Sequence, residues 1–122
     1  RVHGPSSTTH FGDLGIMRLL AQVGNHFELQ SFHGAVLGSL EENDRKTGGE
    51  LIKTLEVVFQ CHGNLTRAAE ILSLHRNSLL YRIHRIKEIS GHDLEEPETR
   101  LSLQVALKIR QLLEAERMRV RG

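Results

Sequence analysis

The sequence predicts an all-α fold: a compact helical domain with a helix-turn-helix followed by a long C-terminal helix. Three observations carry this expectation. Apolar residues recur at spacings of three and four along nearly the whole chain. Helix-start and helix-stop residues punctuate that pattern at Gly63, Asn64, Gly91 and Pro97. The stretch from Asn64 to Ile89, NLTRAAEILSLHRNSLLYRIHRIKEI, reads as two helices joined by a tight turn. No hairpin or βαβ signal, internal repeat or low-complexity tract competes with this reading.

Taken in order, the chain opens RVHGPSSTTH, without an initiator Met. Residues 1–10 are expected to be a disordered leader or the end of a linker, and the chain a fragment of a larger protein whose sensor domain lies elsewhere. Residues 11–47 are expected to form an N-terminal helical pair. In its first helix, FGDLGIMRLLAQ, Leu14, Met17, Leu20 and Ala21 supply the apolar side, Asp13 suits the positive helix start, and Asn25 ends or follows the element. The second, ELQSFHGAVLGSLEEND, carries Leu29, Phe32, Val36, Leu37 and Leu40. Gly34 and Gly38 cost helix propensity; their spacing fits close packing against a neighbour or a tolerated cost. RKTGG then breaks the chain.

Residues 48–122 are expected to hold the helix-turn-helix and the C-terminal helix. GELIKTLEVVFQCHG is a third helix with Leu51 or Ile52, Leu55, Val58 and Phe59 as its stripe and Gly63 as its stop. Asn64 N-caps LTRAAEIL, where Ala68 and Ala69 are small enough for two helices to cross closely. Ser73, Leu74 and His75 make the turn, with Leu74 toward the core. In RNSLLYRIHRIKEI, Leu79, Ile83 and Ile86 fall at i, i+4 and i+7 and should pack against Leu65, Ala69, Leu72 and the third helix. Gly91 closes it. Pro97 and Glu98 open the last helix, whose stripe is expected to be Leu101, Val105, Ile109, Leu112 and Leu113, with fraying through ERMRVRG.

The face of the fifth helix opposite its stripe carries Asn77, Tyr81, His84 and Arg85, with Ser78 to one side. Arg76 stands at the N-terminal end, where a recognition helix meets base edges. Arginine can fork onto guanine and asparagine onto adenine. Ser78 and Tyr81 can donate to phosphate or base, and Thr66 and Arg67 can hold a phosphate at the start of the preceding helix. His75 is expected to cap, contact phosphate or stay in solvent. Leu80, between the two faces, can cover the core edge, touch a thymine methyl or meet another subunit. The candidate DNA-contacting set is therefore Asn64, Thr66, Arg67, His75, Arg76, Asn77, Ser78, Tyr81, Arg82 and Arg85.

Composition is globular, with 39% hydrophobic and 25% charged residues and a formal charge of +1. Near-neutrality makes local charge decisive. From Asn64 to Ser90 the chain places Arg67, Arg76, Arg82, Arg85 and Lys87 against Glu70 and Glu88; the next residues reverse the sign. Cys61 stands alone, so no intrachain disulfide can form, which fits a reducing, cytoplasmic setting; its place on an apolar helix end predicts a buried rather than reactive thiol. No run is long and apolar enough for a membrane span. His62, His75, His84 and His92 fall in different elements without ligand spacing, so no metal is expected. Glu41, Glu42 and Asp44 read as a solvated helix end. No nucleophile, phosphate-loop or dinucleotide fingerprint occurs, so neither an enzyme nor a cofactor is expected.

TLEVVFQCHGNLTRAAEILSLHRNSLLYRIHRIKEISGHDLEEPETRLSLQVALKIRQLL resembles the C-terminal domain of PucR/CdaR-type bacterial transcriptional regulators. The likeness starts earlier, at DLGIMRLL, and is most specific in HRNSLLYRIHRI and SGHDLEEPETRLSLQVAL. Members usually carry Thr where Ser78 stands, which keeps the hydroxyl. The resemblance implies sequence-specific binding of double-stranded DNA at the end of a ligand-responsive regulator, often of catabolic genes and often a homodimer or higher oligomer. The helix pair is also similar to that of the factor-for-inversion-stimulation group. That likeness implies Asn64 and Arg67 near the backbone and Arg76, Ser78, Tyr81 and Arg85 in or beside the groove, with Tyr81 replacing a basic residue. The alternatives are a helical interaction or dimerisation module, and a small ligand sensor or enzyme, which would need a polar cluster around a pocket.

Overall fold

The computed structural model describes residues 15–22 and 25–121. The expectations for residues 1–10, Asp13 and Leu14 lie outside them. The described residues are helical, with turns and loops and no strand: α1 over residues 15–22, α2 His26–Thr47, α3 Leu51–Gln60, α4 Leu65–Leu72, α5 Arg76–Ser90 and α6 Pro97–Arg121.

The boundaries follow from local chemistry. Asn25 is the N-cap of α2, its side chain accepting from the Glu28 N–H at 2.8 Å, so it opens the second helix as well as following the first. α2 continues through Arg45, Lys46 and Thr47 and stops at Gly48, whose φ of 69° is open to glycine at little cost. Asp44 reaches across this turn. Its two carboxylate oxygens accept from the Leu51 and Ile52 N–H groups, each at 3.0 Å, and so satisfy the first turn of α3. The acidic helix end is therefore only partly a solvated face: Glu42 pairs with Arg45, Glu41 with His33 and Arg110, and Asp44 is a cap. α6 stays helical to Arg121, so the expected fraying through 116–121 does not occur there.

Two apolar clusters hold the helices together. The larger joins Val36, Leu37 and Leu40 of α2, Leu51, Ile52 and Leu55 of α3, Ile86 of α5, and Leu103, Ala106 and Leu107 of α6. The smaller joins Val57, Val58, Ala68, Ala69 and Leu79, with Cys61, Leu65, Leu72 and Ile83 at its edge. Leu79 and Ile86 thus anchor α5 in different clusters, while Ile83 is only partly buried. α2 lies against α6, α5 and α3 and shares their core.

Several expected core positions change. The buried face of α6 is Leu103, Ala106, Leu107 and Ile109, not the whole stripe read from spacing; Leu101 is 56% exposed and Val105, Leu112 and Leu113 are half-buried. α6 carries two neighbouring apolar stripes, and the one holding Leu103, Ala106 and Leu107 joins the larger cluster. Phe32 of α2 is exposed, as Leu29 turns only partly inward. A Cβ on Gly34 or Gly38 would meet nothing within 4 Å, so these glycines are a tolerated cost rather than a close crossing. Cys61 is half-buried instead of fully enclosed.

Candidate nucleic-acid interface

The two helices of the interface are positioned by small, sharply defined turns. The Asn64 side chain accepts from the Arg67 N–H at 3.1 Å and starts α4. α4 ends in a left-handed Ser73, φ 58°, with the Ser73 N–H donating to Glu70 O and the Leu74 N–H to Ala69 O. That paired pattern closes the helix and turns the chain within three residues. His75 then occupies the N-cap position of α5 without a side-chain cap bond and stays exposed. Ala68 and Ala69 are buried beneath, where their size lets α4 lie close to α3 and α5.

The candidate contact residues separate into three groups. Asn64, Thr66, Arg67, His75, Arg76, Asn77, Ser78 and Tyr81 are exposed; Tyr81 is 64% accessible. The side chains of Arg67, Arg76, Asn77, Ser78 and Tyr81 make no hydrogen bond or ion pair with the described residues. Arg85 is more constrained. It donates to Glu88 at 3.1 Å, and His84 stands 3.3 Å from the same carboxylate. The Arg85 hydrogen bond, helped by the His84 charge, holds the Glu88 carboxyl below the usual carboxylate range. Arg82 turns away from the others. Its Nη1 donates to Thr54 Oγ1 on α3 at 3.2 Å and lies 3.8 Å from Glu50.

Sequence reading missed Thr54 and Glu50, and it placed Glu88 on the helix without its pairing to Arg85. The available signal for Thr54 was one hydroxyl residue on an otherwise apolar face of α3; Thr54 is fully buried. Reading also missed a charged network on α2. His33 and Glu41 are 2.9 Å apart, Arg110 Nε donates to Glu41 at 2.9 Å, and Glu56 lies 3.7 Å from Arg110. His33, Glu41 and Arg110 border a cleft of about 790 Å³ between α2 and α6, also lined by His26, Gln30 and Leu113. Its charges are spent on one another, and it contains none of the candidate contact residues. Among the described residues, no group of three or more His, Cys, Asp or Glu is placed to hold a metal ion. No described helix is long and apolar enough to cross a membrane.

Several other surface arginines are engaged: Arg45, Arg117 and Arg119 with glutamates one turn away, Arg110 with Glu41 and Glu56, Arg100 with Leu94 O. Helix starts also differ. α2 and α6 place Glu28 and Glu98 in their first turns, where the helix dipole favours acids. α4 and α5 place Arg67 and Arg76 there instead, opposing the dipole. A cation held where folding disfavours it, beside N–H groups suited to an anion, suits a phosphate or base edge.

Such a short helix, tight turn and exposed second helix define a helix-turn-helix domain of the kind that binds DNA. Residues 51–109 match the family model for the PucR C-terminal helix-turn-helix domain, and this part of the chain resembles that domain. It is similar to the purine catabolism regulatory protein of Bacillus subtilis (strain 168), 33% identical over 70% of this chain and 16% of that protein. The proline-responsive transcriptional activator PutR of the same organism is 33% identical over 81% of this chain and 24% of its own. The carbohydrate diacid regulator of Escherichia coli (strain K12) is 39% identical over 50% of this chain and 16% of its own. The chain thus spans less than a quarter of these regulators' length. No solved structure matches it.

Proposed function

We propose that this chain is the output domain of a bacterial transcriptional regulator and binds duplex DNA sequence-specifically. The relatives named for purine catabolism, proline response and carbohydrate diacids support a catabolic gene set under a ligand-responsive upstream region. The observation that carries the reading is the open state of Arg67 and Arg76 at the starts of α4 and α5, beside exposed Asn77 and Tyr81. Arg76 and Asn77 read base edges; Ser78 and Tyr81 meet base or phosphate. Arg67, Thr66 and Asn64 position the backbone, and Arg85 joins them once DNA competes with Glu88. His75 lies beside the phosphates at the entry to α5. The intact regulator works in the cytoplasm as a homodimer on half-sites roughly 34–36 Å apart.

Binding titrations over a salt series test the division of roles. Arg76→Ala should lower discrimination between specific and scrambled duplexes by roughly 1–3 kcal/mol. Arg67→Ala should weaken both alike and flatten the salt slope by about one phosphate's worth. If both variants keep wild-type affinity, specificity and salt slope, the proposed face is wrong and a protein-interaction role becomes the better reading.

A further inference from the structure

We propose that Arg82 is a positioning residue: its bond to Thr54 sets the rotation of α5 and so the aim of Arg76, Asn77 and Tyr81. The inference rests on the DNA-binding reading above. α5 is seated by Leu79 and Ile83 in the smaller cluster and by Ile86 in the larger. Apolar burial is non-directional, so it keeps the helix against its neighbours while fixing rotation only loosely. Base readout by a bidentate fork is far stricter, needing placement within about 0.5 Å. A directional polar contact at the edge of the seam supplies that restriction.

Arg82 stands there, three residues after Leu79 and four before Ile86. Its acceptor is fixed on every side. Thr54 is fully buried, and its one hydroxyl hydrogen is donated to Glu50 O at 2.7 Å. The oxygen can therefore only accept from Arg82, 3.2 Å away. The Glu50 carboxylate, 3.8 Å from the same Nη1, offers a second anchor. Glu50 and Thr54 sit at the start of α3, whose N–H groups Asp44 holds. The Arg82 side chain is 29% exposed, so its charge is stabilised in the one placement that meets these partners. Arg85, one turn further, bonds only along its own helix.

The test uses the 122-residue chain, a duplex selected by it from a random library, and a scrambled counterpart. Each variant is titrated over a salt series and melted alongside. Arg82→Ala and Thr54→Val should each lower preference for the selected duplex about tenfold, the size of one mismatched base pair. Affinity for the scrambled duplex and the salt slope should hold. The double variant should lose no more than Arg82→Ala alone, and Thr54→Ser, which keeps the oxygen, should behave as wild type. Thr54 is buried and cannot touch DNA, so Thr54→Val decides the matter even if Arg82→Ala unfolds. Equal losses on both duplexes with a salt slope flattened by about one phosphate would make Arg82 a direct contact and overturn the proposal. Unchanged preference in Thr54→Val, or losses that track only the unfolded fraction, would overturn it too. If the unmutated chain selects no duplex and binds without salt dependence, the DNA-binding reading itself fails and takes this proposal with it.

Discussion

The scaffold formed by α2 and α6 and the pair α4–α5 solve the same problem differently. α2 and α6 close their charges on each other through Glu41, Arg110 and His33, and bury full-sized leucines between them. α4 and α5 leave Arg67 and Arg76 open and rest on a smaller cluster to which α4 gives two buried alanines. α3 joins the two, with Leu51, Ile52 and Leu55 in one cluster and Val57 and Val58 in the other. The contrast teaches where stability and recognition are kept apart. The scaffold supplies burial, and the pair that faces outward accepts an electrostatic cost at its helix starts in exchange for unpaired cations.

The contrast can be broken most forcefully at Leu37, which is fully buried in the larger cluster. Leu37→Ala should cost roughly 2–5 kcal/mol and lower the urea midpoint of the whole chain in one transition. A separate, earlier loss of α4 and α5 would mean that the larger cluster does not support them. Ala68→Leu should cost about 1–3 kcal/mol through overpacking, with faster amide exchange in α4 and the first half of α5. Equal acceleration in α2 and α6 would erase the distinction between clusters. Asn64→Ala removes the cap on the Arg67 N–H and should cost about 1 kcal/mol by thermal melting; an unchanged melting temperature would mean that α4 begins without it. The smallest effect is carried by protons. Glu88 and Glu114 are held below the usual carboxylate range chiefly by hydrogen bonds from Arg85 and Arg117. Their lowered values mean that these pairs contribute fully at neutral pH and lose that contribution as pH falls through the lowered carboxyl midpoints. An NMR titration should show both midpoints depressed, and Arg85→Ala should return Glu88 toward its ordinary value while leaving Glu114 in place.

The order of helices and their punctuation were legible because caps act locally. Asn64, Gly91 and Pro97 do in the structure what their residue types predict. The exposed arc of α5 was legible too, since Leu79 and Ile86 leave Asn77 and Tyr81 on the far side. Spacing could not choose between the two apolar stripes of α6, because that choice depends on the shape of α2. Nor could it separate Arg82 from Arg85. Both are arginines on one helix, three residues apart, yet a buried hydroxyl on α3 claims the first and a glutamate on α5 the second. Asp44 was hidden for the same reason: its role lies in the first N–H groups of a helix across a turn.

α6 lies against α2, so the larger cluster is closed by two helices far apart in the sequence. A ribosome delivers α2 before α6. Until Leu103, Ala106 and Leu107 emerge, the described partners of Leu37 and Leu40 in that cluster come from α3 and α5. A chain stopped before Pro97 holds every residue assigned here to DNA and lacks the helix that completes their support. Translation therefore finishes α4 and α5 before the frame that supports them, and the apolar side of α2 stays only partly covered for the interval between them.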